Sequence, residues 1–320
     1  MPYEKFDRST LNLLPLNERR HDISQEIYAP VENIPDEVFK NPDMRRIADA
    51  VREAKNKKAS VLMMCGGHVI RSGCGPTITN MMKDGYVTHY ATNGAGSIHD
   101  FELSLIGSTC ESVAKYISEG QFGLWNESGM VNDIIREGVE DNLGAGEAIG
   151  RYIWEQKLPW REKSILGVGY ALGVPCTVHI GIGNDIIHEH ENCDGAALGE
   201  ASYTDFLVYT QTVTKLEGGA FLNFGSAVAG PEVYLKALSM ARNVAHQRGE
   251  KIAHFTTAVF DLLQIEGNDF SAAPPKSDPR YYFRPWKTIL ARTVADGGKS
   301  YYVCGEHRYT IATLSKLLGA

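Results

Sequence analysis

Long hydrophobic runs are missing from this 320-residue sequence: nothing approaches the ~18 consecutive apolar residues that cross a bilayer, and the mean hydropathy is −0.23. A helical membrane span is excluded on that ground. The opening residues, MPYEKFDRST, carry too much charge for the apolar region of a secretory leader. Basic runs are missing too. With 32 Lys and Arg against 39 Asp and Glu, the net charge is −7, which disfavours nucleic acid and favours cationic small molecules. Cysteine is scarce: the six residues are scattered, several in apolar or glycine-rich runs, so no disulfide framework is read and a reducing cytoplasm is expected. There is no CxxC pair, no HExxH, no repeat of fixed period, and no GxGxxG directly after an apolar run.

What is present is a core and a rhythm. Hydrophobic residues make up 43% of the chain, enough for one large domain or two ordinary ones that fold alone. Residues 1–43 are polar, with little periodicity, and read as an N-terminal arm that needs a neighbouring surface to be ordered. From Met44 onward, to residue 320, short apolar runs alternate with stretches of helical spacing. Strands are expected within 60–67, 87–93, 174–183, 219–228 and 251–260, with helices near 44–59, 76–85, 111–120, 143–157, 164–173, 205–218 and 231–249. Such alternation predicts right-handed βαβ crossovers, hence an α/β, Rossmann-like domain with a mostly parallel sheet and helices on both faces. The linker-like segment 267–282 reads as a surface loop or a mobile loop at the site.

Five of the inferred strands end in small or polar residues. These are Cys65-Gly66-Gly67-His68, Asn93-Gly94-Ala95-Gly96, Gly181 to Asp185, Asn223-Phe224-Gly225-Ser226 and Thr256-Thr257-Ala258. In an open parallel sheet the carboxyl ends of the strands form the ligand crevice, and small residues there let backbone N–H groups approach phosphate or ribose oxygens. A nucleotide is therefore expected along Gly67, His68, Asn93, Gly94, Gly96, His99, Asp185, Gly225, Ser226, Thr257 and Ala258. Turn and packing demands on glycine are the structural alternative. The run from Asp185 to Asp194 holds two histidines, three further acids and a cysteine, but lacks the second ligand cluster of a zinc site, so no metal is assigned. Asp185 and His188 instead suit the wall of a pocket for a cationic amine. A thiol hydrolase remains open as well, since Cys65, Cys74 and Cys176 stand near strand ends and His68, His99 or His179 could activate one of them.

The order of these motifs resembles the deoxyhypusine synthase family. Ile70-Arg71-Ser72-Gly73 and the run Val87 to Glu102 are similar to the family's Ser-Gly, helix and Thr-Ala-Gly-Gly segment; Gly173 to Asp185 is similar to its Pro-led strand and acidic turn. Asn223 to Ser226 stands at its triple glycine, Thr256 to Asp261 at its Asn-Thr-Ala-Gln-Glu-Phe-Asp, and Pro285-Trp286-Lys287 at its Ser-Trp-Gly-Lys. The likeness spans roughly residues 58 to 315. It implies an NAD-dependent transferase that moves an aminobutyl or aminoalkyl group from a polyamine such as spermidine to an amine, as in homospermidine synthesis. Lys287 would be catalytic, carrying the imine, with Trp286, His188, Asp185 and Asp261 binding substrate. This sequence differs at Ile98-His99, Gly230-Pro231 and Tyr282, where the family has acids, a histidine and a glutamate; a small-amine acceptor is therefore expected in a bacterial-type relative. A metal- or cysteine-dependent hydrolase and a non-catalytic nucleotide- or polyamine-binding relative are the alternatives. The resemblance also implies a homotetramer, with the arm crossing a subunit boundary. Light scattering at micromolar concentration should then give four chain masses, and a single chain mass would refute it.

Overall fold

The computed structural model describes residues 3–28, 40–265 and 269–320. Part of the expected arm (29–39) and Gly267-Asn268 of the linker-like segment lie outside the described residues. The arm contributes β1 (Ile23–Ser24). It is followed by α1 (Pro42–Asn56), β2 (Val61–Cys65), α2 (Gly67–Arg71), α3 (Gly75–Lys83), β3 (His89–Asn93), α4 (Gly94–Ile106) and β4 (Ser108–Thr109). Helices α5 (Val113–Glu119), α6 (Met130–Glu140), α7 (Ala145–Glu155) and α8 (Ile165–Leu172) come before β5 (Cys176–His179). The chain ends α9 (Gly195–Val213), β6 (Ala220–Phe224), α10 (Ala229–Gln247), β7 (Thr256–Asp261), a π-helical turn Trp286–Ala291, α11 (Arg292–Ala295), β8 (Lys299–Cys304) and α12 (His307–Leu318).

Local chemistry sets these elements. Helix α1 starts where the Asn41 side chain accepts from the Asp43 N–H at 2.8 Å and Pro42 pre-sets the first turn. Its buried Met44, Ile47, Ala48, Val51 and Ala54 recur at helical spacing, forming one apolar stripe. Strand β2 is buried along its whole length, as a central parallel strand must be. Its side chains alternate between two cores: Val61, Met63 and Cys65 pack on the side of α1, α3 and α7, while Leu62 and Met64 pack on the side of α9 and α10.

Six parallel strands form one sheet in the order β5-β3-β2-β6-β7-β8. Chain order therefore runs outward from β2 in one direction and then outward from β6 in the other, the doubly wound arrangement expected. Gly94, Ala95 and Gly96 form the first turn of α4, which Asn93 caps by accepting the Gly96 N–H at 3.0 Å. Strand β8, at one edge of the sheet, is buried only at Tyr302 and Val303, with Lys299 and Cys304 at its ends exposed.

The described part of the arm lies on its own chain. Strand β1 pairs with β4, and Leu16 packs on Tyr116 and Trp125. Arg19 and Glu102 form a buried two-pronged ion pair, with N–O distances of 2.9 and 2.8 Å. The Ser128 and Thr109 hydroxyls donate to the same carboxylate at 2.5 and 2.7 Å. Burial alone would raise the Glu102 carboxyl, but Arg19 and the two hydroxyls outweigh it and hold the group below its ordinary value. Removing one partner strands a charge in the interior. Arg19→Met should cost about 3–5 kcal/mol in urea unfolding, and the double change Arg19→Met with Glu102→Leu should cost clearly less; equal losses would show that the ion pair is not what holds the arm.

Candidate functional site

The reversal of strand order lies between β2 and β6, so the loops that leave their carboxyl ends part in opposite directions. Between them backbone meets backbone. A Cβ at Gly66 would collide with the Gly225 carbonyl, and one at Gly67 would lie 3.3 Å from Ala95 Cβ and 3.4 Å from Gly96 N. Gly225 itself has φ +57°, in the region that favours glycine. Ser226 caps the turn into α10 by accepting the Gly230 N–H at 2.8 Å. Gly67, Asn93, Gly94, Gly96, Gly225 and Ser226 thus gather at one edge, with His68 beside His307 at a ring separation of 5.8 Å.

Thr257 and Ala258 do not join them. Strand β7 begins at Thr256 rather than ending there, so both residues sit in its buried first half, with Thr257 bonded to Ser300 at 2.8 Å. The carboxyl end of β7 is Asp261, whose side chain accepts the Leu263 N–H. Ile252, Ala253 and Phe255, which suggested an earlier strand start, belong to the approach to it.

On the β3 and β5 side the edge opens into a cavity of about 680 Å³. One face of α4 forms a wall, since Ala95, Ile98, His99 and Glu102 are spaced three, four and seven apart. Arg71, at the end of α2, and the loop Gly183 to Glu189 supply the rim, and Val113, Ile117 and Phe122 give an apolar side. Besides Glu102, which is paired with Arg19, three acids line it. Asp185 accepts the Ala95 N–H at the start of α4, yet burial pushes its carboxyl up to about 6. Glu189 is pushed to about 7, by burial first and then by neighbouring Glu111. Glu111 is fixed by the Gly123 N–H at 3.0 Å and the Trp125 Nε1–H at 2.8 Å. His188 Nδ1 accepts the Gly183 and Asp185 N–H groups at 3.2 and 3.1 Å, which leaves its enclosed Nε2 without a protein partner.

Lys287 and Trp286 stand elsewhere, at the start of the helical part of the crossover from β7 to β8. Lys287 donates to the Tyr281 hydroxyl at 2.7 Å, and its ammonium lies 4.5 Å from that ring's centre. Trp286 is buried in the second core against Phe270 and donates to the Ala272 carbonyl, so Tyr281 and not Trp286 is the aromatic neighbour of Lys287. The expected site residues therefore fall into two groups, Asp185 and His188 on the β5 half and Asp261, Trp286 and Lys287 on the β7–β8 half. Asp100 does not face the crevice: it is fully buried and caps α8 through Ser164, Ile165 and Leu166.

Cys65, Cys74 and Cys176 are buried, and desolvation pushes each thiol up, Cys74 to about 12. Among the described residues no three His, Cys, Asp or Glu side chains converge as a metal ligand set. Sequence reading missed Glu111, Cys110 and the cavity role of Glu102, because they reach the site through folding and carry no local motif.

A family model described as "Arginine dihydrolase ArgZ-like, C-terminal, Rossmann fold" matches residues 45–142. No curated protein matches the sequence. Among solved structures, AgrE in complex with ornithine and NAD+ is 12% identical with a TM-score of 0.51, over 86% of this chain and 32% of that one. A conserved LOR/SDH protein from Methanococcus maripaludis S2 is 14% identical with a TM-score of 0.50, over 89% and 71%. A protein from Entamoeba histolytica described as a deoxyhypusine synthase is 8% identical, and its TM-score of 0.45 carries no argument. The chain spans about a third of the length of AgrE.

The two raised carboxyls give the cavity a pH dependence. Asp185 and Glu189 ionise as pH rises through about 6 and about 7, so the cavity gains negative charge between pH 5 and 8. Putrescine binding by calorimetry should tighten across that window, roughly tenfold per carboxylate; Glu189→Gln should remove the upper part of the rise, and a flat profile in the wild type would refute it. These matches establish the fold of the chain as that of the Rossmann-type α/β domains.

Proposed function

We propose that this chain is an NAD-dependent enzyme that oxidises a cationic amine held in the carboxylate-lined cavity. One observation carries the reading: the glycine-lined strand-order reversal and the carboxylate-lined cavity share the start of α4. Gly67 and Gly225 are half-buried at this edge and carry no side chain between their backbone and a ligand, which suits close approach of a pyrophosphate. A Cβ at Gly94 would strike the Asp185 carboxylate, so that turn is closed to any larger residue. NAD+, when bound, supplies an acceptor for the hydride leaving the carbon next to nitrogen.

The protein's own part is binding, orientation and proton handling. Asp185, Glu189 and Glu111 hold the ammonium, and Glu189, poised near neutrality by burial and Glu111, takes the proton that the ammonium must lose before a C–H bond can break. The Arg71 side chain, with no hydrogen bond or ion pair among the described residues, offers a guanidinium to a carboxylate or phosphate of the bound ligands. Ornithine, present in the AgrE complex, is thus a first amine to test beside putrescine and spermidine.

Aminoalkyl transfer through an imine on Lys287 in a homotetramer is the finer form of this proposal. Its support is the sequence resemblance at Pro285-Trp286-Lys287; Lys287 stands on the half of the crevice opposite the cavity, so transfer requires the oxidised amine to reach it across the strand-order reversal. NADH absorbance after mixing enzyme, NAD+ and each amine tests the oxidation, and mass spectrometry of the products tests the transfer. Lys287→Ala and Lys287→Arg should both abolish transfer while leaving NAD+ binding within about twofold, since guanidinium stays protonated and cannot form the imine. Full turnover by the Arg variant would remove Lys287 from the mechanism, and absence of NADH with all three amines would overturn the oxidation itself.

A further inference from the structure

His99 lies on the α4 face that lines the cavity, one turn from Ala95 and Glu102. Its Nδ1 is 2.8 Å from Thr109 Oγ1. That hydroxyl has one proton, and it is committed: Thr109 donates to Glu102 Oε2 at 2.7 Å, and Glu102 is an ionised carboxylate held by Arg19 and Ser128, so it has no proton to return. Thr109 can therefore meet Nδ1 only as an acceptor, and the imidazole proton must sit on Nδ1. The Cys110 sulfur, 3.8 Å from the same nitrogen, is a further soft acceptor for that N–H. Nε2, on the far side of the ring from Thr109 and Cys110, is left with its lone pair. Burial pushes His99 down to about 4, against the pull of Glu102, so the ring stays neutral at physiological pH.

A neutral imidazole with a fixed tautomer accepts one hydrogen bond in one direction. The three acids of the cavity provide charge, but carboxylates accept from many angles. We propose that His99 is a ligand-orienting residue: Thr109 and Glu102 lock its proton on Nδ1, and its Nε2 accepts one N–H of the cation bound in the cavity. This rests on the reading that the cavity takes an amine. Glu102 then serves twice, fastening the arm through Arg19 and setting the tautomer through Thr109, which makes Thr109 a positioning residue.

Long-range proton–nitrogen spectra of 15N-histidine-labelled protein distinguish the two tautomers without any ligand. His99 should show a protonated Nδ1 and a bare Nε2, and addition of putrescine or ornithine with NAD+ should move the Nε2 resonance. Thr109→Val, close in shape but unable to accept, should lose the tautomer preference and weaken amine binding roughly tenfold, while Thr109→Ser keeps both. A proton on Nε2 in the wild-type protein overturns the assignment even if Thr109→Val fails to fold. Unchanged amine affinity in a folded Thr109→Val protein overturns it as well. If neither putrescine nor ornithine binds the wild type, the functional reading falls and takes the orienting role with it; if the amine binds but the tautomer is reversed, only the role of His99 falls.

Discussion

Everything about the location of the site follows from one topological constraint, the reversal of strand order between β2 and β6. Because every crossover in the parallel sheet has the same hand, strands added to the two sides of this junction send their helices to opposite faces. The loops after β2 and β6 then diverge above the sheet, and a crevice is left that no side chain of the core fills. Backbone packing within it is close enough to demand glycine, as the approach of Gly66 to Gly225 shows. The same geometry brings the first turn of α4 to the lip of the crevice, where Asn93 caps it and Asp185 closes over it.

A second constraint shapes the cavity next to that lip. Glu102 is a buried carboxylate with four donated hydrogen bonds, from Arg19 twice, Ser128 and Thr109. An ionised group in the interior is tolerated only when its lone pairs are filled, so the four donors are tied together in space. They come from the arm, the segment before α6, and β4, three parts of the chain far apart in sequence. One electrostatic requirement thus pulls the arm across the mouth of α4 and fixes the wall against which His99 and Cys110 stand. The acids of the opposite wall are under the reverse condition: Asp185 and Glu189 have too few donors to offset burial, and their carboxyls rise toward neutrality. Functional potential is concentrated where satisfaction is incomplete.

The division of the crevice into two halves bears on how an amine and a cofactor would share it. The β3–β5 half offers carboxyls and an apolar side; the β7–β8 half offers Asp261, His307 and Lys287. His307 is buried with its Nδ1 unpartnered and is pushed down to about 4, so it too is a neutral ring at the edge. A dinucleotide laid across the reversal would touch both halves, which is why the expected residues can be split in space and still belong to one crevice. The low identities to solved structures fix the fold and leave the chemistry to these side chains.

Local sequence determined a good deal. Buried runs such as VLMMC and AFLNF, bounded by glycine, declare central strands because a parallel strand is covered on both faces, and the apolar stripe from Met44 to Ala54 declares α1. From these the α/β class and the parallel sheet follow without coordinates. Boundaries were less legible: β7 starts at Thr256 because pairing with β6 and β8 sets its register, so Thr257 and Ala258 are interior residues and not edge residues. Strand β8 is less legible because only Tyr302 and Val303 of its six residues are buried. The site itself was half legible. Asp185, His188 and His99 could be picked out as polar residues near strand ends, whereas Glu111, Cys110 and Arg19 carry no pattern of their own. Their place depends on which distant groups fill the lone pairs of Glu102 and which acids are left unfilled, and that is settled by long-range packing, not by neighbours along the chain.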